Sequence, residues 1–79
     1  MSYFVYMLLC QDGSFYIGST DDVQKRFLKH LSGKGASYTR SHKPVKVVYT
    51  EELSDKSSAL KREYVLKQLT HTQKLLLYK

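Results

Sequence analysis

The stretch "YFVYMLLCQDGSFYIGST", residues 3–20, contains two apolar runs on either side of a turn signal. The first run, residues 3–10, is apolar on both faces of an extended chain, which predicts a strand in the centre of a sheet. Asp12-Gly13 tolerates the positive φ angles that tight hairpins demand, so residues 15–19 are predicted to return as the partner strand. The sequence therefore predicts a β-hairpin at its start.

The length of the hairpin loop decides which side chains share a face of the sheet. A two-residue turn would place Tyr6 and Tyr16 on opposite faces. A three-residue loop over residues 11–13, with Gly13 in the left-handed conformation as a bulge, would set Tyr6 opposite Gly18 and on the face of Tyr16. A site that uses both tyrosines requires the three-residue loop.

Caps and periodicity predict the elements beyond the hairpin. Helices are predicted from about residue 21 to 32, 56 to 69 and 71 to 78, and a third strand over residues 45–52, after Pro44. Thr20 or Asp21 is the predicted N-cap of the first helix, with acidic side chains in its first turn, and Ser54 or Asp55 that of the second. Gly33 would end the first helix, and residues 35–42 are compatible with one helical turn.

The order β-β-α-β-α-α predicts one small α/β (α+β) sandwich over residues 1–79. Its sheet would be three-stranded and mainly antiparallel, with helices flanking it, because the first connection is a hairpin rather than a βαβ crossover.

Composition and net charge indicate the expected binding partner and cellular compartment. The formal net charge of +6 favours a polyanionic partner, nucleic acid first. The longest apolar run has eight residues, far below the ~20 that span a bilayer, and no basic segment precedes it as in a signal peptide. A single cysteine excludes an internal disulfide. We therefore predict a cytoplasmic protein without a membrane partner.

The first helix carries an arginine and a histidine four residues apart. On a helical wheel, Arg26 and His30 lie together at the edge of an apolar arc formed by Val23, Phe27, Leu28 and Leu31. Edge positions beside a buried stripe can line a cleft. The alternative is an ion pair between Asp22 and Arg26, with no role for His30.

A glycine and a carboxylate are the other candidates for a site. Gly18 stands inside a strand, where glycine often marks the close approach of a ligand or of another backbone. Glu63 stands among lysines and arginines on the second helix, next to apolar positions. It could hold a divalent metal at the rim of a basic cleft, or form a helix pair with Lys67 worth about 0.3–0.5 kcal/mol.

A loop after the first helix combines cations with an aromatic ring. Lys34, Tyr38 and Arg40 fall in one stretch that is suited to contacts with a nucleic-acid backbone. A solvated loop explains the same residues almost as well.

Taken in order, these features resemble the GIY-YIG nuclease superfamily, and most closely its small stand-alone bacterial single-domain members. The matching motifs are Phe4-Val5-Tyr6, Tyr16-Ile17-Gly18, Arg26-x-x-x-His30, Gly35-Ala36-Ser37-Tyr38-Thr39 and Glu63. The resemblance covers essentially the whole chain.

The resemblance implies a metal-dependent phosphodiesterase. Glu63 would hold one Mg²⁺ or Mn²⁺ ion, and Arg26 would neutralise charge that develops in the transition state. The residues expected to orient and deprotonate the attacking water are Tyr6, Tyr16 and His30. Gly18 would leave room for the phosphate, and the expected substrate contacts are Lys34, Tyr38 and Arg40.

The expected activity is that of an endonuclease of low sequence specificity, with DNA favoured over RNA and with a partner protein as a further source of specificity. One departure from the family pattern leaves other functions as alternatives. Family nucleases commonly carry a late asparagine, and this chain contains none; Gln73 is the nearest chemical substitute. The alternatives are a non-catalytic nucleic-acid-binding module and a partner-dependent subunit.

Overall fold

The computed structural model describes residues 2–78. Its elements are β1 (Tyr3–Cys10), β2 (Phe15–Thr20), α1 (Val23–Leu31), α2 (Ser37–Ser41), β3 (Pro44–Leu53), α3 (Lys56–Lys67) and α4 (His71–Tyr78). The predicted order is confirmed, and the segment compatible with one helical turn forms the short helix α2.

The sheet has the strand order β2-β1-β3, with both pairs antiparallel. The central strand is β1, and the four side chains at its middle, Val5 to Leu8, are at most 1% exposed. This confirms the prediction drawn from an apolar run with no polar face, because a central strand has both faces covered.

The hairpin adopts the three-residue loop. Tyr6 lies opposite Gly18 in the ladder, the Cys10 N–H donates to the Ser14 carbonyl at 2.9 Å, and Gly13 has a φ of +84°. The Asp12 side chain accepts hydrogen bonds from the backbone and hydroxyl of Ser14. Tyr6 and Tyr16 are therefore on one face of the sheet, as a shared site requires.

Each face of the sheet is covered by different helices. The main apolar core lies between the sheet and α3, with Leu77 of α4 packed against it. Its buried members are Val5, Met7, Phe15, Ile17, Ala59 and Leu66. The opposite face carries Tyr6 and Gly18, and α1 with α2 packs there. Within residues 2–78, no helix combines the length and the apolar character needed to cross a membrane.

The start of α1 differs from the prediction. Its N-cap is Asp22, whose side chain accepts from the Lys25 N–H at 3.1 Å, and no acidic residue stands in its first turn. Thr20 is not available as a cap because it ends β2, where its hydroxyl accepts from the Asp22 N–H at 3.2 Å. Asp55 caps α3 by accepting from Ser58, as one of the two predicted options.

The end of α1 follows the prediction. Gly33 has a φ of +80°, and the Gly33 and Lys34 N–H groups donate back to the carbonyls of His30 and Lys29. This pair of bonds is the Schellman arrangement, for which glycine is preferred. By contrast, α3 ends at Lys67, two residues before the predicted limit.

The rotation of α1 about its axis corrects the predicted apolar arc. Leu28 and Leu31 are 55% and 40% exposed, whereas His30 is the buried residue of this helix. His30 and Arg26 therefore belong to the face turned toward the sheet rather than to its edge. The helix turns this face toward the sheet because the sheet and α2 supply hydrogen-bond partners for the His30 imidazole.

Candidate active site

The centre of the site is a hydrogen bond between β1 and α1. The Tyr6 hydroxyl lies 2.9 Å from Nε2 of His30, and both residues are 1% exposed. Across the ladder, a Cβ on Gly18 would lie 2.6 Å from the Tyr6 hydroxyl and 2.8 Å from Cζ. Gly18 thus makes room for the Tyr6 ring, and the predicted space for a phosphate beside it stays a prediction.

Tyr16 lies beside this pair and is more exposed. Its ring centroid is 6.3 Å from that of Tyr6 and 5.1 Å from that of His30. On its other side the ring stacks on Tyr38 at 5.9 Å, and Tyr38 stacks in turn on His42 at 4.0 Å. The predicted substrate contact Tyr38 therefore has two stacked aromatic neighbours within the protein.

His30 is held on its second nitrogen by a residue to which the sequence assigned no role. Thr39 of α2 is 2% exposed and places its hydroxyl oxygen 2.7 Å from Nδ1. Gly35 lies against the same ring: a Cβ there would be 2.2 Å from Nδ1. Both residues fall in the motif at 35–39, which was the only signal that could have found them.

Burial sets the protonation of the two central groups. Desolvation, and then the charge of Arg26, lower the pKa of His30. Desolvation, with a further contribution from Tyr16, raises the pKa of Tyr6 to about 12. Arg26 acts in the opposite direction on Tyr6, and Glu63 adds to the increase. At neutral pH the site therefore holds a neutral phenol and a neutral imidazole.

Arg26 presents a buried donor toward this site. Its Nε has no hydrogen-bond partner within residues 2–78, and the side chain lines a pocket of about 150 Å³. The other lining residues are Thr20, Asp21, Asp22, Lys25 and Lys29. Asp22 is the N-cap, and the ion pairs within residues 2–78 do not include the predicted alternative, Asp22 with Arg26.

Glu63 approaches the site from the α3 side, at the edge strand β2. Ser19 donates its hydroxyl to Oε1 at 2.7 Å, and the Lys67 ammonium lies 2.8 Å from Oε2. The side chain is 16% exposed. The predicted Glu63–Lys67 helix pair is therefore present, and Ser19 is a partner that the sequence did not reveal.

The side chains around Glu63 that could act as metal ligands indicate which ion would fit the predicted site. Within residues 2–78, no group of three or more His, Cys, Asp or Glu side chains is placed to hold an ion. One carboxylate beside a hydroxyl fits Mg²⁺, which keeps several water ligands and takes oxygens from substrate phosphates. A Zn²⁺ site with three or four protein ligands does not fit this donor set.

The remaining predicted residues are two cations and Gln73. Lys34 and Arg40 are exposed, and Arg40 lines a second pocket next to His30 and Thr39. Gln73 is engaged elsewhere: its side-chain oxygen accepts from the Thr70 N–H at 2.9 Å, and Thr70 accepts from the Gln73 N–H. This reciprocal capping box at the start of α4 makes Gln73 a helix cap.

Comparisons with known proteins found a matching family model and similar chains. The family model described as the GIY-YIG catalytic domain matches residues 2–75. A UPF0213 protein of Staphylococcus epidermidis is 52% identical over 73 residues, 92% of this chain and 89% of that protein. A UPF0213 protein of Halobacterium salinarum is 47% identical over 94% of this chain and 96% of its own length.

Solved structures show the same fold. The solution NMR structure of the UPF0213 protein from Bacillus halodurans has 45% identity and a TM-score of 0.59, over 98% of this chain and 82% of that one. The NMR structure of a protein from E. faecalis has 47% identity and a TM-score of 0.62, over 94% of this chain and 79% of that one.

Proposed function

This chain belongs to the GIY-YIG family, and from that premise we propose that it is a metal-dependent endonuclease of low sequence specificity. Its substrate would be nucleic acid, DNA in preference to RNA. The observation that carries the proposal is the buried hydrogen bond of 2.9 Å between Tyr6 and His30, with Arg26 and Glu63 close enough to act on the pKa of Tyr6.

Tyr6 and His30 would accept the proton of the attacking water as a pair. A phenol with a pKa of about 12 is almost fully protonated at neutral pH. Tyr6 can take a proton from water only if it gives its own to His30 Nε2 in the same step. Burial favours the neutral imidazole, and a neutral ring whose Nε2 carries no proton can accept one there.

Arg26 would stabilise the charge that develops on the phosphate. Its guanidinium offers several donors in a fixed fork. The buried Nε without a partner within residues 2–78 is a donor that a phosphate oxygen could satisfy.

Glu63 would hold the divalent cation, Mg²⁺ or Mn²⁺. When bound, such an ion polarises a phosphate oxygen and stabilises the leaving group. Ser19 fixes one carboxylate oxygen, which orients the other. Lys67 pairs with that other oxygen, so a metal would compete with the ammonium for it.

Affinity for the substrate would come from the positive charge of the chain, +6 overall. Lys34 and Arg40, both exposed near the site, are the proposed phosphate contacts. Tyr38 would support the site by holding Tyr16 from behind. A cytoplasmic location and a partner protein that supplies specificity stay predictions.

A second candidate is a non-catalytic nucleic-acid-binding module with the same fold. The use of Gln73 as a cap of α4 favours it, because this nearest substitute for the absent asparagine is committed to the helix.

Cleavage assays separate the two candidates. We expect plasmid, branched and single-stranded DNA to be cut slowly with Mg²⁺ or Mn²⁺, and not with chelator or by the Arg26→Ala variant. Lys29→Ala, which removes a cation from the same helix and pocket, serves as the matched control. Absence of cleavage on every DNA and RNA substrate, with binding retained, would favour the binding module.

A further inference from the structure

Both ring nitrogens of the buried His30 have a partner. Nε2 lies 2.9 Å from the Tyr6 hydroxyl and Nδ1 lies 2.7 Å from the Thr39 hydroxyl. A neutral imidazole carries one N–H, so one nitrogen donates and the other accepts. The distances to Tyr6 and Thr39 alone leave the choice between two tautomers open.

A third hydrogen bond, from Thr39 to the backbone, decides which tautomer His30 adopts. The Thr39 hydroxyl oxygen lies 2.9 Å from the carbonyl oxygen of Ala36, and a carbonyl can only accept. If the single hydroxyl proton of Thr39 pointed at Nδ1, two oxygens would face each other without a proton between them. The favourable arrangement has Thr39 donating to Ala36, and His30 donating Nδ1–H to Thr39.

The surroundings of the ring leave little room for other arrangements. His30 and Thr39 are 1% and 2% exposed, so bulk water does not readily replace either partner. A Cβ on Gly35 would lie 2.2 Å from Nδ1 and 2.8 Å from Cε1. The Gly35 backbone therefore closes one side of the ring.

We propose that Thr39 is a positioning residue that holds His30 in the tautomer with Nδ1 protonated and Nε2 free to accept the Tyr6 proton. In the other tautomer Nε2 would itself carry a proton and could only donate to Tyr6. The short helix α2 would thus set the direction in which the proton moves. The consequence for catalysis rests on the proposed function, whereas the tautomer is a property of the fold.

Ring ¹⁵N chemical shifts of His30, measured through long-range ¹H–¹⁵N correlations near pH 7.5, test the proposal directly. We expect the wild type to show a protonated Nδ1 and an unprotonated Nε2. Thr39→Ser keeps the hydroxyl and should keep this pattern. Thr39→Val keeps the shape but removes the acceptor, and should shift His30 toward the Nε2–H tautomer.

Cleavage is the second readout. Loss of the partner that orients a metal-ligating histidine lowers activity by about 10–100-fold, and we expect a fall of the same order in Thr39→Val, with near wild-type activity in Thr39→Ser. Melting temperatures show whether each variant is folded. If Thr39→Val does not fold, the wild-type and Thr39→Ser spectra still decide the tautomer.

An Nε2–H tautomer in the wild type would overturn the proposal, whatever the activity. So would a folded Thr39→Val protein with the wild-type ring pattern and wild-type activity. A wild type that shows the expected tautomer but cleaves nothing would refute the proposed function and leave the role of Thr39 intact.

Discussion

Replacing Glu63 by Gln separates a metal-holding role from a purely structural one. Gln has almost the same shape, and its oxygen can still accept from the Ser19 hydroxyl that now lies 2.7 Å from Oε1. It supplies no anion for Lys67, which now lies 2.8 Å from Oε2, nor for a divalent cation. The change therefore removes charge and little else.

The expected loss of stability is small. The pair with Lys67 joins positions i and i+4, and the lysine is 51% exposed, so its loss is worth about 0.3–0.5 kcal/mol. A hydrogen bond to a carboxylate contributes roughly 1 kcal/mol more than a neutral one, which gives about 1–1.5 kcal/mol in total. A domain of this size then loses roughly 5–10 °C in Tm.

The protein should stay folded, because a chain of this length has a free energy of unfolding of roughly 4–12 kcal/mol. Function should change far more. We expect Glu63→Gln to lose more metal-dependent cleavage than the about 10–100-fold that loss of an outer-shell partner of a metal ligand costs, because Glu63 would be the ligand itself. Binding of DNA should persist or tighten, because a negative charge leaves a basic surface.

The assays are plasmid cleavage, DNA binding by fluorescence anisotropy, and melting curves with and without Mg²⁺ or Mn²⁺. Lys67→Gln is the matched control: it breaks the same helix pair but keeps the carboxylate. It should keep cleavage and show a larger rise in Tm with metal than the wild type. Equal cleavage by wild type and Glu63→Gln, or the same metal-induced rise in Tm, would refute the metal role.

Three further changes test other parts of the reasoning. Gly18→Ala places a Cβ 2.6 Å from the Tyr6 hydroxyl. We expect urea unfolding to show about 1–3 kcal/mol of destabilisation, and cleavage to be lost. An unchanged urea midpoint would contradict the close packing of Gly18 against Tyr6. The lowered pKa of His30, from burial and then Arg26, means that the unfolded chain binds a proton near pH 6.5 before the folded protein does. The contribution of neutral His30 to the free energy of unfolding should therefore be fully present above that pH. It should fall on acidification toward the folded pKa, by up to about 1.4 kcal/mol per pH unit. Urea midpoints at pH 7.5 and 5.5 measure this change, and a higher midpoint at pH 5.5 would be inconsistent with it. Lys34→Ala and Arg40→Ala should each lower the slope of log affinity against log salt by about one, and a salt-independent affinity would exclude the proposed phosphate contacts.

The sequence determined the sheet and the main elements. An eight-residue apolar run with no polar face has both faces covered when it forms a central strand, and β1 is one. Asp12-Gly13 marked the hairpin, and the required loop of three residues gave the observed pairing of Tyr6 with Gly18. These features are local, since a turn and two adjacent strands contain the interactions that define them.

The tertiary structure decided how the helices turn their faces to the sheet. Hydrophobic periodicity placed Leu28 and Leu31 in the buried arc of α1, but both are exposed and His30 is buried. An imidazole can replace a leucine in the interior when both of its nitrogens are hydrogen-bonded, because its desolvation is then offset. Its partners Tyr6 and Thr39 belong to other elements, so the pattern of one helix could not reveal the choice.

The tertiary structure also decided which residues surround the candidate catalytic groups. Ser19 reaches Glu63 across 44 positions of the chain and Thr39 reaches His30 across nine. Motif spacing identified Tyr6 and His30 as site residues, because those residue types are chemically distinctive. It carried no information on a serine or threonine hydroxyl, because such a group gains its role only when packing removes water and leaves one partner within reach.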